Sequence, residues 1–293
     1  MANRGKTYTA RRKKRPANRK IPKSFIFILA FIALCLGAVY TLSGADSPSK
    51  AGHGSGSISV GKELESVIIP DETPSVIKEY TGFTVCFNPS WHVPNYVVWE
   101  LTADEAEGNE PRNSKFRTDP DVLNCPTLDD YRNSGFDRGH MAPAGDMKWS
   151  RDAMADSHYL TNMCPQDHSI NSGRWSTLES KCRQWAKRDS AIIIITGPVL
   201  SDEITRTIGA SRVAVPERFF KVLLSPYTNP IRAIGFIVPN YPTPDGIEQM
   251  ATSVDRIEEI TGFDFFSSLP DDIENEVESK ADFRDWNRRK NTK

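Results

Sequence analysis

Five short runs rich in β-branched and aromatic residues do most to limit what this chain can fold into: Gly82 to Phe87, Tyr96 to Leu101, Ala191 to Ile195, Phe219 to Leu224 and Ile231 to Val238. Helical periodicity lies elsewhere. It appears in Arg174 to Lys187, where Trp175, Leu178, Cys182 and Trp185 share one face, in Gly246 to Thr261 and in Asp271 to Lys280. Strands and helices do not alternate regularly, so the pattern predicts an α+β fold with a central antiparallel sheet flanked by helices, not a doubly wound parallel sheet.

The folded region does not start at the N-terminus. Residues 1–23 carry ten Lys or Arg and no acid, and an uncharged run from Phe25 to Leu42 follows. At about 1.5 Å per residue, that run can cross most of a hydrocarbon core roughly 30 Å thick. The positive charge assigns the basic end to the cytoplasm. The expected organisation is a basic cytoplasmic segment (1–23), one transmembrane signal anchor (24–43), a flexible Gly/Ser-rich linker (44–62) and a folded domain (63–293) outside the cell membrane. A nucleic-acid role for the basic segment would leave the apolar run without a use. Cleavage after Ala45, within Ser43-Gly44-Ala45, would instead release a secreted form, and the domain is exported in either case.

Export changes how the net charge of −1 is read, because from residue 44 onward 27 bases face 38 acids. Thirteen of those acids lie between Asp245 and Asp285. Such a domain repels polyanions at long range, so nucleic-acid binding would need a local basic patch and would be salt-sensitive. The nearly balanced segment from Asp130 to Arg188 is a candidate for that patch. Outside the apolar run, Cys86, Cys125, Cys164 and Cys182 are an even set in a compartment that permits disulfides. Of the three connectivities, Cys164 with Cys182 and Cys86 with Cys125 is favoured, because the first pair flanks the reactive segment; a zinc site has no CxxC or nearby His pair behind it.

That reactive segment runs from Phe136 to Glu179. His140 can take a proton from water near neutral pH, and its neighbours are Gly139, which permits close backbone approach, the permanent cation of Arg138, and Asp137. The other histidines, His53, His92, His158 and His168, read as structural or exposed. Asn171 offers a neutral oxygen to a hard cation such as Mg²⁺, although an Asn just ahead of a helix is more often a cap. Glu179 would lie roughly 12 Å along one helix from Asn171, which disfavours direct ligation of one ion by both and suggests contact through water. Upstream, Arg112 and Arg117 sit in a polar, cationic stretch able to stabilise phosphate charge.

Asp137-Arg138-Gly139-His140-Met141, Tyr159-Leu160-Thr161-Asn162, Pro165-Gln166, and Asn171 with Gly173, Trp175 and Leu178-Glu179 resemble the DNA/RNA non-specific endonuclease family, the ββα-metal nucleases. The resemblance spans roughly Tyr80 to Leu269. It implies a ββα-metal motif with His140 as general base and Asn171 as the side-chain ligand of one Mg²⁺, with Mn²⁺ as a substitute. It further implies that Glu179 holds water on that ion, that Arg138 and Arg112 contact phosphate, and that Asn162 supports the site. The activity implied is metal-dependent hydrolysis of DNA and RNA with little sequence preference, with no obligate protein partner. Two other readings remain: a phosphoesterase of small nucleotides, and a catalytically silent nucleic-acid receptor for DNA uptake. The chain departs from the family pattern in its N-terminal anchor, its acidic C-terminal third and Cys164.

Overall fold

The apolar run at Ala191 becomes the centre of the main sheet. The computed structural model of the chain describes residues 61–112, 115–200 and 205–288. The basic segment, the anchor at 24–43 and the linker as far as residue 60 lie outside the described residues. Among the described residues no helix is long and apolar enough to cross a membrane.

In chain order the strands are β1 (Val67–Ile68), β2 (Val76–Tyr80), β3 (Phe83–Asn88), β4 (Val93–Thr102), β5 (Asp137–His140), β6 (Met163–Gln166), β7 (Ala191–Pro198), β8 (Thr207–Ile208), β9 (Val213–Ala214), β10 (Arg218–Ser225), β11 (Arg232–Pro239), β12 (Ala251–Thr252) and β13 (Asp264–Phe265). Seven of them form one sheet in the order β12-β11-β10-β7-β4-β3-β2, antiparallel throughout. The expected antiparallel α+β architecture is therefore present, and all five predicted strands lie in this sheet.

Alternation along the central strands divides the core into two layers. Trp99, Ile194 and Leu223 are in register and point to one face; Val98, Ile195 and Val222, one residue along, point to the other. Each fully buried side chain of this kind contributes about 1.5–3 kcal/mol, so the sheet holds only while both faces are covered.

The longer helices are α1 (Arg151–Asp156), α2 (Ser176–Asp189), α3 (Val254–Thr261) and α4 (Asp271–Glu278). The near face packs against α2 through Leu178, Cys182 and Trp185 together with Trp175, the stripe predicted from the sequence. The far face is covered by Val254 and Ile257 of α3 and Val277 of α4.

Two expectations are corrected. The segment Gly246 to Thr261 is not one helix: a 3₁₀ turn, Ile247–Met250, leads into β12, where Ala251 and Thr252 pair with Phe236 and Gly235 at the sheet edge. Only after Ser253, whose Oγ accepts from the Arg256 N–H at 3.2 Å, does α3 begin. Backbone pairing with an open edge overrode the local periodicity there.

The favoured disulfides are also absent, and Cys86, Cys125, Cys164 and Cys182 are free thiols. Cys86 belongs to the far layer and Cys125 packs against the near one, so the sheet separates them. Cys164 and Cys182 are both buried in the near layer as individual apolar side chains, a common use of the thiol.

Candidate active site

The site is built on a hairpin that sequence patterning did not predict. β5 and β6 pair antiparallel with Asp137 opposite Gln166, Gly139 opposite Cys164 and His140 opposite Met163. A π-helical turn, Ile170–Trp175, follows and runs directly into α2, so two strands and a helix frame one cleft. That cleft, about 560 Å³, is lined among others by Arg112, Asp137, Arg138, His140, Asn171 and Glu179.

Gly139 is there for space. A Cβ at this position would stand 2.6 Å from the Cβ of Gln166, which is fully buried. Gly139→Ala should therefore destabilise the domain by about 1–3 kcal/mol through overpacking. Urea unfolding measures this, and an unchanged midpoint would show that Gln166 yields without cost.

His140 is 8% exposed, with its ring against Phe116 and edge-on to His158 at centroid distances of 5.4 and 5.2 Å. Its carbonyl accepts from the Trp175 indole at 3.1 Å, which ties the end of β5 to the helix. Among the described residues Nε2 has no hydrogen-bond partner. Burial holds the imidazole well below its ordinary pKa, and the charges of Arg112, His158 and Arg138 push the same way. The ring is thus neutral at pH 7, with a ring nitrogen uncommitted to the protein.

Asn162 supports the turn that follows. Its amide oxygen accepts from the Ala142 N–H at 2.9 Å, and its nitrogen donates to the carbonyls of Ala142 and Ser157 at 2.8 and 2.9 Å. Arg138 lies with its guanidinium 4.6 Å from the Phe116 ring centroid, and its Nε is unpartnered. Arg112 is exposed at the cleft. Arg117, grouped with it in sequence, pairs with Asp156 at 3.4 Å and stacks on Tyr159, and so is engaged outside the cleft lining.

Asn171 is not a cap. It lies inside the π-helical turn, and its side-chain nitrogen donates to Asp137 Oδ2 at 2.8 Å. A carboxylate only accepts, so this bond fixes which end of the amide is nitrogen and leaves its oxygen available. The same Asp137 oxygen receives His168 Nδ1 at 2.8 Å. Because helical winding starts before α2, Asn171 and Glu179 border the same cleft despite the eight residues between them. Burial, then Asp146, pushes the Glu179 carboxyl up to about 7, against Lys221, Arg183 and Arg112. A neutral amide oxygen and a carboxylate bordering one cleft, with no thiol among its lining residues, fit a hard divalent cation.

Beneath the cleft is a buried charge network that the sequence did not reveal. Asp146, 1% exposed, pairs with Arg183 Nη1 at 2.8 Å. Lys221, also 1% exposed, holds its ammonium 4.5 and 5.3 Å from the Trp175 and Trp99 ring centroids. Asp146 and Arg183 are distant in sequence and carry no shared motif; Asp137, by contrast, adjoins the Arg138-Gly139-His140 element and could have been weighed as the partner of Asn171.

Residues 61–272 match the model of the DNA/RNA non-specific endonuclease family. The mitochondrial nuclease EXOG of Danio rerio is 34% identical over 207 residues, 65% of this chain and 60% of that protein. Human mitochondrial endonuclease G is 31% identical over 208 residues, 66% of this chain and 70% of its own. The chain thus spans less than two thirds of the length of the EXOG nuclease. Among solved structures, the crystal structure of an EndoG/EndoGI complex has a chain that superposes with a TM-score of 0.62 at 27% identity, covering 66% of this chain and 86% of that one.

Proposed function

The chain belongs to the DNA/RNA non-specific endonuclease family, and on that premise we propose that it is a metal-dependent endonuclease that hydrolyses phosphodiester bonds of DNA and RNA with little sequence preference. The observation that carries this reading is the neutral, unpartnered His140 in one cleft with Asn171, Arg138, Arg112 and Glu179. In the proposed mechanism His140 takes the proton of a water aligned with the scissile phosphate. Arg138 and Arg112 bind the phosphate oxygens, Glu179 orients water in the cleft, and Asn162 keeps the chain after His140 in place. Asn171, turned by Asp137, would supply the side-chain oxygen for one divalent cation, Mg²⁺ or Mn²⁺ as a substitute. When bound, that cation would supply charge neutralisation at the phosphate and at the leaving O3′, which takes its proton from water. The products would carry 5′-phosphate.

Residues 24–43 would tether this activity to a membrane, with the basic end cytoplasmic and the domain outside; cleavage after Ala45 would release it. The support is the uncharged Phe25 to Leu42 run behind ten bases.

Supercoiled plasmid, ribosomal RNA and a model phosphodiester, each digested in Mg²⁺ and in EDTA, test the proposal. Cleavage of both polymers that EDTA abolishes is expected. Turnover of the small diester alone would identify a small-nucleotide phosphoesterase, and a gel shift without cleavage would identify a silent receptor.

The pKa direction of His140 adds a pH prediction. Burial and neighbouring cations favour the neutral ring, so the base form survives as pH falls below the ordinary imidazole value of about 6.5. The acid limb of kcat/KM should therefore lie below pH 6.5. Arg112→Ala removes one like charge and should move that limb upward while lowering the plateau; an unmoved limb would mean that Arg112 does not act on the base.

A further inference from the structure

We infer that the far side of the sheet carries a second divalent-cation site, formed by Asp255 and Glu258 of α3 and Glu278 of α4, of the all-oxygen kind that takes Ca²⁺. One carboxylate oxygen from each of the three lies within 4.8 Å of the others. Three oxygens spaced in that way all lie within about 2.8 Å of a common point, so only a few tenths of an ångström of side-chain movement bring them to the roughly 2.3–2.6 Å of a Ca²⁺ contact.

Acidic clusters are common on surfaces, but Glu278 is not on the surface. It is 5% exposed, and among the described residues its Oε1 has no hydrogen-bond partner. A buried carboxylate in that condition needs either a counter-charge or a proton. Among the described residues no Lys or Arg pairs with Asp255, Glu258 or Glu278. The nearby bases are engaged elsewhere: Arg256 with Glu259 at 2.7 Å and Lys280 with Glu276 at 2.8 Å. Glu258 Oε1 accepts from the Phe265 N–H at 2.8 Å, which anchors that carboxylate and leaves its other oxygen for a ligand.

The cation would clamp α3 to α4 over Val254, Ile257 and Val277, in the core layer on the opposite side of the sheet from Trp175 and the cleft. Its role is to hold the fold, separate from the proposed chemistry. Ca²⁺ suits such a site better than Mg²⁺, which demands near-ideal octahedral geometry and keeps its waters. The competing state is a proton: burial, with Glu258, Glu274, Asp255 and Asp264 close by, pushes the Glu278 carboxyl up to about 9.

The test is a Ca²⁺ titration of the full chain from about 0.1 mM to about 10 mM, which covers the roughly 0.1–1 mM at which extracellular Ca²⁺ modules bind. It is followed by calorimetry and thermal unfolding, on wild type, Asn171→Ala, Glu278→Gln and Asp255→Asn. Wild type and Asn171→Ala should both gain several degrees in Tm with one Ca²⁺ bound per chain. Glu278→Gln and Asp255→Asn should lose that gain while keeping Mg²⁺-dependent cleavage. Asp255 is exposed, so its variant carries the test if Glu278→Gln does not fold. The proposal is overturned if wild type shows no gain, if the gain disappears with Asn171→Ala, or if it survives in Asp255→Asn. A Glu278→Gln variant that melts higher than a Ca²⁺-insensitive wild type would identify the protonated acid instead.

Discussion

His140→Ala is expected to cut Mg²⁺-dependent plasmid cleavage by about 10³-fold, within the roughly 10²–10⁴-fold that a positioned acid–base group contributes. The imidazole is buried between Phe116 and His158, is neutral, and has Nε2 unpartnered at the cleft, so no adjacent group is arranged to take over. His158 is the nearest imidazole, but it is 1% exposed and is not among the residues that line the cleft. Loss of the ring leaves a void, so the variant must be compared at equal folded fraction, established by its melting curve and circular dichroism. The His140 contribution to the main chain, the carbonyl that accepts from Trp175, survives the substitution. A folded His140→Ala protein that cut plasmid as fast as wild type would eliminate the assignment.

Asn171→Ala should lower cleavage by at least about 10²-fold and raise the Mg²⁺ concentration needed for half-maximal activity, because the variant loses the one neutral side-chain oxygen proposed for the cation. Asp137→Asn separates ligation from orientation. An amide at position 137 can donate to the Asn171 oxygen, so the Asn171 side chain is free to turn and present nitrogen to the cleft. Loss of such an orienting partner typically costs about 10–100-fold in metal affinity. The expected signature is a higher Mg²⁺ requirement with maximal rate largely recovered at saturation. If Asp137→Asn left the Mg²⁺ dependence unchanged, the 2.8 Å Asn171–Asp137 bond would be structural only.

The sheet was legible where strands are buried on both faces. Ala191 to Ile195 is apolar at every position because β10 and β4 flank it and both core layers cover it. β5 and β6 were not legible, since Asp137-Arg138-Gly139-His140 and Met163-Cys164-Pro165-Gln166 are too short to show a period and are chosen for the site rather than for the pleat. β12 was hidden within helical periodicity, and the pairing of Cys86 with Cys125 failed because cysteine count says nothing about which side of a sheet each thiol faces; Cys164 and Cys182 share a layer and are still separate thiols. In the site, His140, Arg138, Arg112, Asn171 and Glu179 were each named from sequence, and all of them line one cleft.

Residue identity and order alone determined the antiparallel α+β class and the family, and marked out the segment from Phe136 to Glu179 for which the chemistry is proposed, because periodicity and local motifs are properties of near neighbours. Only the tertiary structure decided that Asn171 is oriented by Asp137, 34 residues away, that Asp146 pairs with Arg183, 37 away, and that Glu278 is buried without a counter-charge. Those are contacts between distant segments, and their energies depend on burial and direction. Neither exists until the sheet has formed and its two faces have been covered.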